Sequence, residues 1–130
     1  KVKSGRLGDA MREELDPLWL APGPNRAAIL EIAMDMADTL GPEVYIRQAR
    51  ALQRARDQQA VLRKCKVPTL VMCGEVGKLN PVKRHSFMAE LLPYAILRVI
   101  EGAGHLPTLE QPEATTAAIK EWMKMPLTPA

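Results

Sequence analysis

The chain has 130 residues, about the length of one small domain. Hydrophobic residues make up 47% of it and charged residues 25%, a balance that excludes an intrinsically disordered tail. The 18 lysines and arginines against 15 aspartates and glutamates leave a formal charge of only +3, with the two signs mixed along the chain. We therefore expect no nucleic-acid partner.

Cysteine content and apolar runs indicate a compartment. The chain has two cysteines, Cys65 and Cys73, which make no disulfide framework and are predicted to be reduced and buried. No apolar run is long enough to cross a membrane, and no charged-then-apolar leader opens the chain. We expect a cytoplasmic protein with no membrane partner. The opening residues 1–3, without a methionine, are typical of an excised or processed segment.

Residues 1–64 predict helices. The first is short, Asp9–Leu15, and the prolines and glycine at 17–24 interrupt the chain after it. Asn25 is a plausible N-cap for a second helix, in which apolar residues recur at helical spacing up to Leu40. Gly41 ends that helix. Pro42 suits the first turn of a third helix, which we expect to run to about Lys64.

The rest of the chain predicts strands alternating with helices. The run 68–74 is almost wholly apolar, as in a strand buried on both faces of a parallel sheet. A helix over 82–92 and a second strand, Ala95–Ile100, follow it. A last helix starts near Pro112, and its apolar residues Ala114, Ala118, Ile119 and Trp122 are expected to face inward. This order predicts an α/β fold with two parallel strands.

Such a sheet is incomplete. Two parallel strands are too few to stand alone, and an apolar strand with one neighbour leaves an edge that can pair with another chain. We expect the sheet to be completed by residues absent from this chain or by a second copy of it.

His105 is the residue that most suggests chemistry. It lies in a glycine-rich loop, Gly102–Leu106, directly after the second strand. Catalytic groups of open α/β sheets lie just outside the carboxyl ends of the strands, and an imidazole suits general base catalysis at neutral pH. For an isolated Gly-His pair, the alternative is an ordinary surface histidine in a tight turn.

The wider sequence around His105 resembles the α/β-hydrolase family. Residues 102–113 have the pattern Gly-x-Gly-His-Leu-x-x-x-Glu-x-Pro-Glu and resemble the family's histidine loop and last helix. Residues 67–75 resemble its penultimate strand, residues 78–81 the turn that follows, and residues 92–95 the approach to the last strand. The resemblance implies two parts: a helical cap-like segment at 1–64, and the C-terminal portion of the hydrolase core, with an incomplete sheet, at 65–130.

The resemblance assigns one catalytic residue. His105 matches the family's catalytic histidine, which takes a proton from a nucleophile and later activates water. The position that matches the family's acid is Gly77, with Glu75 and Asn80 as the polar residues nearby. The nucleophile motif Gly-x-Ser-x-Gly occurs nowhere in the sequence.

Other polar residues receive ordinary interpretations. The serines, Ser4 and Ser86, lack the sequence of a nucleophile turn. His85, beside two basic residues, is expected to be a solvated helix position. Two histidines this far apart in sequence indicate no metal, and no cofactor is expected.

Two functions remain open. In the first, the chain is part of a hydrolase of esters or related bonds, supplying His105 and the roof of a pocket for a small apolar substrate. A missing N-terminal hydrolase segment then brings the nucleophile, and this chain alone is inactive. In the second, the chain is a non-catalytic interaction module derived from a hydrolase, and it self-associates into an oligomer.

Overall fold

The computed structural model describes residues 5–14 and 16–128. The helices are α1 (Leu7–Glu14), α2 (Arg26–Gln53), α3 (Gln59–Lys64), α4 (Val82–Leu91), α5 (Pro107–Glu110) and α6 (Pro112–Met123), with a 3₁₀ turn at Pro17–Trp19. The strands are β1 (Thr69–Gly74) and β2 (Ala95–Ile100). The chain packs into two units, Lys1–Pro17 with Gly23–Arg56, and Leu18–Pro22 with Asp57–Ala130.

The first unit is built from α1 and α2. Leu7 and Ala10 are buried on one side of α1, where Met11, Tyr45 and Ile46 pack against them. Helix α1 begins at Leu7, two residues before the predicted start at Asp9. The predicted last residue, Leu15, lies outside the described residues.

Gly41 divides α2. Its backbone angles of φ 84° and ψ 172° are non-helical and lie where residues with a Cβ atom are rare. Pro42 follows within the first turn of the second half, where its missing N–H costs no helical hydrogen bond. The predicted break at this glycine is therefore confirmed.

The predicted extension of the third helix to Lys64 is wrong. Helix α2 ends at Gln53, and the separate helix α3 begins at Gln59. Between them, the Asp57 carboxylate accepts a hydrogen bond from the Gln59 backbone N–H at 3.1 Å. An aspartate that bonds a main-chain N–H two residues ahead stabilises a turn in competition with the helix.

The second unit contains the sheet. Strands β1 and β2 pair in parallel, in a register that runs from Thr69 opposite Ala95 to Gly74 opposite Ile100. The predicted α/β fold with two parallel strands is confirmed, as are the bounds of β2. Helices α4 and α6 each contact both strands.

Two apolar layers form around the strands. On the α6 side, Ile100, Ala103 and Ala118 are buried together, with Leu70 and Met72 packed against them. Val71 and Cys73 alternate with those β1 residues, and both are buried as well. Each strand has one hydrogen-bonded neighbour among the described residues, so the sheet has two unpaired edges.

The inward face of α6 differs from the prediction. Thr115 and Ala118 are buried, whereas Ala114 is exposed and Ile119 and Trp122 are each 37% exposed. A two-stranded sheet is too narrow to cover the whole apolar stripe of the helix. Trp122 still anchors α6 to the start of β1, because its indole Nε1–H donates to the Pro68 carbonyl at 3.0 Å.

The cysteines are both free thiols. Cys73 is buried at the end of β1, and burial raises the pKa of its thiol. Cys65 is only half-buried, which corrects the prediction that both are buried: its thiol lies 3.9 Å from the Thr69 hydroxyl at the edge of the unit. None of the described helices has the length and apolarity needed to span a membrane.

Candidate functional site

The two strands end in loops that are bonded to each other. After β1, the backbone N–H groups of Glu75 and Val76 donate to the carbonyls of Ile100 and Ala103, both at 3.0 Å. The second loop turns at Gly102, whose φ of 73° favours glycine, and Ala103 is completely buried beneath it. The loop that carries His105 is therefore fixed against the end of β1.

His105 lies beside a cavity of about 170 Å³ at the carboxyl end of β1. The cavity is lined by the last three residues of that strand and by Asn80, His85, Gly104, His105 and Pro107. The His105 side chain is half-buried. Ligands of open α/β sheets bind at this end of the strands, and His105 lies there.

Trp19 contacts His105 in two ways. The His105 backbone N–H donates to the Trp19 carbonyl at 2.7 Å. The indole and imidazole rings meet edge to face, with their centroids 5.8 Å apart and their planes at 67°. Gly104 permits this approach, because a Cβ atom there would lie on the Trp19 carbonyl oxygen and 2.9 Å from the Leu20 Cα.

Glu110 binds three backbone N–H groups around the histidine. Its Oε1 accepts from Ala21 at 2.6 Å, and its Oε2 accepts from Gly104 at 3.0 Å and from Leu106 at 2.9 Å. Glu110 is the glutamate of the pattern that contains His105, and the pattern by itself indicates no role for it. The sequence spacing between Glu110 and His105 does not indicate that Glu110 also bonds Ala21, which lies 89 residues before it.

Gly77, at the position that matches the family's acid, lies next to the histidine loop. A Cβ atom on it would be 3.8 Å from the Gly104 carbonyl oxygen and 3.3 Å from that of Asn80. Of the two polar residues near it in sequence, Asn80 lines the cavity and Glu75 is exposed. This chain therefore carries no carboxylate at the matching position.

His85 is placed differently from its prediction. It lies in the first turns of α4, half-buried rather than solvated, and it lines the same cavity as His105. Its Nδ1 is 3.2 Å from the Pro81 carbonyl oxygen, and a carbonyl can only accept, so Nδ1 carries the proton. The helical periodicity of α4 could not predict that His85 lines this cavity, because other lining residues come from a loop distant in sequence.

The remaining candidates form no further centre. Ser86 is a half-buried residue inside α4, away from any strand-to-helix turn, and Ser4 lies outside the described residues. Within residues 5–14 and 16–128, no three histidine, cysteine or acidic side chains converge in a way that would hold a metal ion.

Comparison with known proteins shows which solved structures share this fold. No protein-family model matches the chain, and no curated protein matches it. Among solved structures, a thermophilic esterase from Thermogutta terrifontis is 28% identical, with a TM-score of 0.78 over 95% of this chain. An esterase from Exiguobacterium antarcticum and an α/β hydrolase from a deep-sea metagenome library, each 22% identical, have TM-scores of 0.71 and 0.70 and share the fold.

The matches cover much more of this chain than of the solved structures. The alignments cover 95% to 99% of this chain but only 47% to 50% of the solved structures. The chain therefore spans about half the length of these solved structures. Its fold is that of the α/β hydrolases, and its extent is consistent with a C-terminal portion of such a protein.

Proposed function

We propose that the chain is the histidine-bearing portion of a hydrolase that cleaves an ester or a related bond, and that His105 is its catalytic base. The observation that carries the proposal is the position of His105, half-buried beside a cavity at the carboxyl end of β1. The 28% identity to a thermophilic esterase over 95% of the chain supports the reaction class.

The proposed role of His105 follows from imidazole chemistry. An imidazole with a free ring nitrogen takes the proton of a hydroxyl nucleophile as that oxygen attacks a carbonyl, and it then returns the proton to the leaving group. In the second half of the reaction it activates water in the same way. A fixed loop favours this, because a displaced base loses most of its effect on the rate.

The nucleophile is proposed to come from an N-terminal hydrolase segment that this sequence does not include. The only serines are Ser4 and Ser86, neither of which has the sequence of a nucleophile elbow. The unpaired edges of the sheet and the half-length coverage of the solved structures support a partner segment of that kind. It would also supply the acid, since Gly77 has none to offer.

Residues 1–64 are proposed to be a cap over the substrate. Exposed apolar side chains recur on α2 at Ile32, Met36 and Leu40, which is helical spacing for one stripe. Such a stripe suits the roof of a pocket for a small apolar substrate. We also propose a cytoplasmic location, which the two free cysteines support.

A non-catalytic, self-associating module is the second candidate. It is favoured by glycine at the acid position and by the open edge of an apolar strand, which can pair with a second copy. In this case the chain keeps the hydrolase shape and has lost the reaction.

The experiment that separates the two starts with intact mass and light scattering on the purified protein, followed by a serine-reactive fluorophosphonate label and an assay with p-nitrophenyl acetate. A longer mass or a co-purifying N-terminal piece that takes the label supports the hydrolase. A chain of 130 residues that forms dimers or larger species, without label or turnover, supports the self-associating module.

Two variants then test His105 itself in any preparation that turns over ester. We expect His105→Ala to lower kcat by about 10³-fold or more, as for other triad members. His85→Gln is the matched comparison, because it removes the other imidazole from the same cavity. Equal losses in the two variants would mean that ester is cleaved by exposed imidazole and would contradict the proposed role.

A further inference from the structure

We propose that Glu110 is the positioning residue of His105, which it holds through the backbone on both sides and through the segment that carries Trp19. Glu110 is half-buried on α5, and its carboxylate accepts hydrogen bonds from backbone N–H groups. Its effect on His105 would pass entirely through three N–H groups. As a statement about catalysis the proposal depends on the proposed function, but as a statement about geometry it stands independently.

Two of the N–H groups that donate to Glu110 flank the histidine. Gly104 and Leu106 are the residues before and after His105, and both donate to the same oxygen, Oε2. Fixing the amide on each side of a residue restricts the backbone from which its side chain projects. The imidazole of His105 is thereby left with rotation about its own side-chain bonds.

The third N–H donor to Glu110 is distant in sequence. Oε1 of Glu110 accepts from Ala21, which lies in the short segment Leu18–Pro22. That segment also supplies the Trp19 carbonyl, which accepts from the His105 N–H, and the indole edge against the imidazole. The carboxylate therefore joins the histidine loop to the ring that limits the remaining rotation of the imidazole.

The set of three donors explains why the residue is a glutamate. Three N–H donors converge on one side chain, and only an ionised carboxylate offers acceptors on both oxygens with no donor of its own. Bonds from N–H groups to a carboxylate are also about twice as strong as bonds between neutral groups. The backbone of Glu110 is itself held in place, because the Glu110 N–H donates to the Leu106 carbonyl at 2.9 Å within the same turn.

This arrangement makes a graded prediction. In Glu110→Gln, an amide NH₂ replaces one carboxylate oxygen. The NH₂ is a donor, so it cannot bond the backbone N–H that faces it. Keeping the oxygen toward Gly104 and Leu106 preserves two bonds and loses one, so the amide should turn its NH₂ to Ala21. The glutamine variant is therefore expected to release the Trp19 segment alone, whereas Glu110→Ala releases the segment and the histidine loop together.

The test is proton NMR of the full chain, read at the imidazole Hε1 protons. The sequence has two histidines, so two such signals are expected, and His85→Gln identifies them. The nearby Trp19 ring displaces the His105 signal by its ring current. We expect Glu110→Gln to move the His105 signal toward its position in Trp19→Ala, with the His85 signal unchanged. Glu113→Gln, an exposed glutamate three residues further on, is the control that should move neither.

Two results would overturn the proposal. One is a folded Glu110→Gln or Trp19→Ala protein whose His105 signal coincides with that of the unmodified chain. The other needs no variant: amide exchange in the natural chain should show protection at Ala21, Gly104 and Leu106, and exchange at Ala21 as fast as in an unfolded peptide would contradict the bond to Glu110. The second measurement decides the matter if the variants do not fold.

Neither measurement requires turnover, so the positioning proposal can fail while the proposed function stands, or the reverse. Where hydrolysis is measurable, a positioning role predicts that Glu110→Gln lowers kcat by up to about 100-fold while KM is unchanged. A residue that only stabilises the fold would leave kcat per folded molecule as it was.

Discussion

Gly77 and Gly104 are neighbours across the two loops at the strand ends: a Cβ atom on Gly77 would lie 3.8 Å from the Gly104 carbonyl oxygen. Gly104 directly precedes His105. The backbone of Gly77 lies outside the left-handed region that disfavours side chains. The backbone conformation of Gly77 therefore tolerates a side chain beside the histidine loop, but a Cβ atom would lie 3.3 Å from the Asn80 carbonyl oxygen, which must shift slightly to admit it.

Gly77→Asp is expected to bring a carboxylate next to the loop that carries His105. A carboxylate that contacts the imidazole should move the His105 Hε1 signal in a proton NMR spectrum at fixed pH. We expect this contact only when the rest of the sheet is present, so the spectrum is compared with and without a candidate N-terminal segment.

Gly77→Asn is the control for this substitution, since it has nearly the same shape without the charge. It should leave the His105 Hε1 signal close to its position in the natural chain. Equal His105 signals in the Asp and Asn variants would mean that the carboxylate does not reach the imidazole.

Gly104→Ala is expected to destabilise the second unit by about 1–3 kcal/mol. The added methyl group would meet backbone atoms of Trp19 and Leu20, which cannot move aside as a flexible side chain can. The histidine loop or the Leu18–Pro22 segment must then shift. Urea denaturation measures the loss, and the His105 Hε1 signal reports the shift.

Gly23→Ala is the matched control, because nothing lies within 4 Å of a Cβ atom at that glycine. We expect it to change the unfolding free energy by no more than about 1 kcal/mol. Similar losses for Gly23→Ala and Gly104→Ala would show that the close packing against Trp19 does not limit residue 104.

The two thiols are expected to react at different rates. Cys73 is 4% exposed and burial raises the pKa of its thiol, so it forms little of the reactive thiolate at neutral pH. Cys65 is half-buried. Iodoacetamide at pH 7 followed by peptide mass spectrometry should find Cys65 modified first. Equal rates in the folded chain, matching those in urea, would contradict the burial of Cys73.

The ion pair between α6 and β2 predicts a dependence of stability on pH. Arg98 donates from Nε to the Glu121 carboxylate at 2.9 Å, and this hydrogen bond lowers the pKa of Glu121. A lowered folded-state pKa adds stability above the unfolded-state pKa, and that stability is lost as pH falls through the folded-state value. The effect should be small and weaken with salt, because both groups are exposed.

Urea denaturation of the natural chain and of Glu121→Gln, at pH values from 7 down to 3, tests this pair. The difference between the two proteins should shrink from about pH 4.5 downward. Glu113→Gln should give no such trend. A difference that is constant across the range would mean that the ion pair contributes nothing.

The parts of the fold that were predictable depend on neighbouring residues. The bounds of β2 follow from a short, mainly apolar run that stops before Glu101 and Gly102, and the start of α6 follows from Pro112 in its first turn. The break at Gly41 follows from the conformational freedom of glycine. Each of these signals lies within a few residues of its effect.

The parts that were not predictable depend on contacts between distant residues. Local sequence allows Asp57 either to be a solvated residue on a continuous helix or to end the helix by bonding the Gln59 N–H, and it does not decide between the two. Glu110 reaches an amide 89 residues away, and His85 reaches a cavity closed by another loop. The sequence position of His105 was informative, but what holds the imidazole in place was not.

The open sheet has a consequence for the life of this chain in a cell. Strand edges without partners and exposed side chains such as Leu127, 85% exposed, are what chaperones and quality-control proteases recognise. The half-life of the chain should therefore depend on whether something covers it. A pulse-chase of its abundance, with and without a co-expressed candidate segment, would identify the covering partner before any substrate is known.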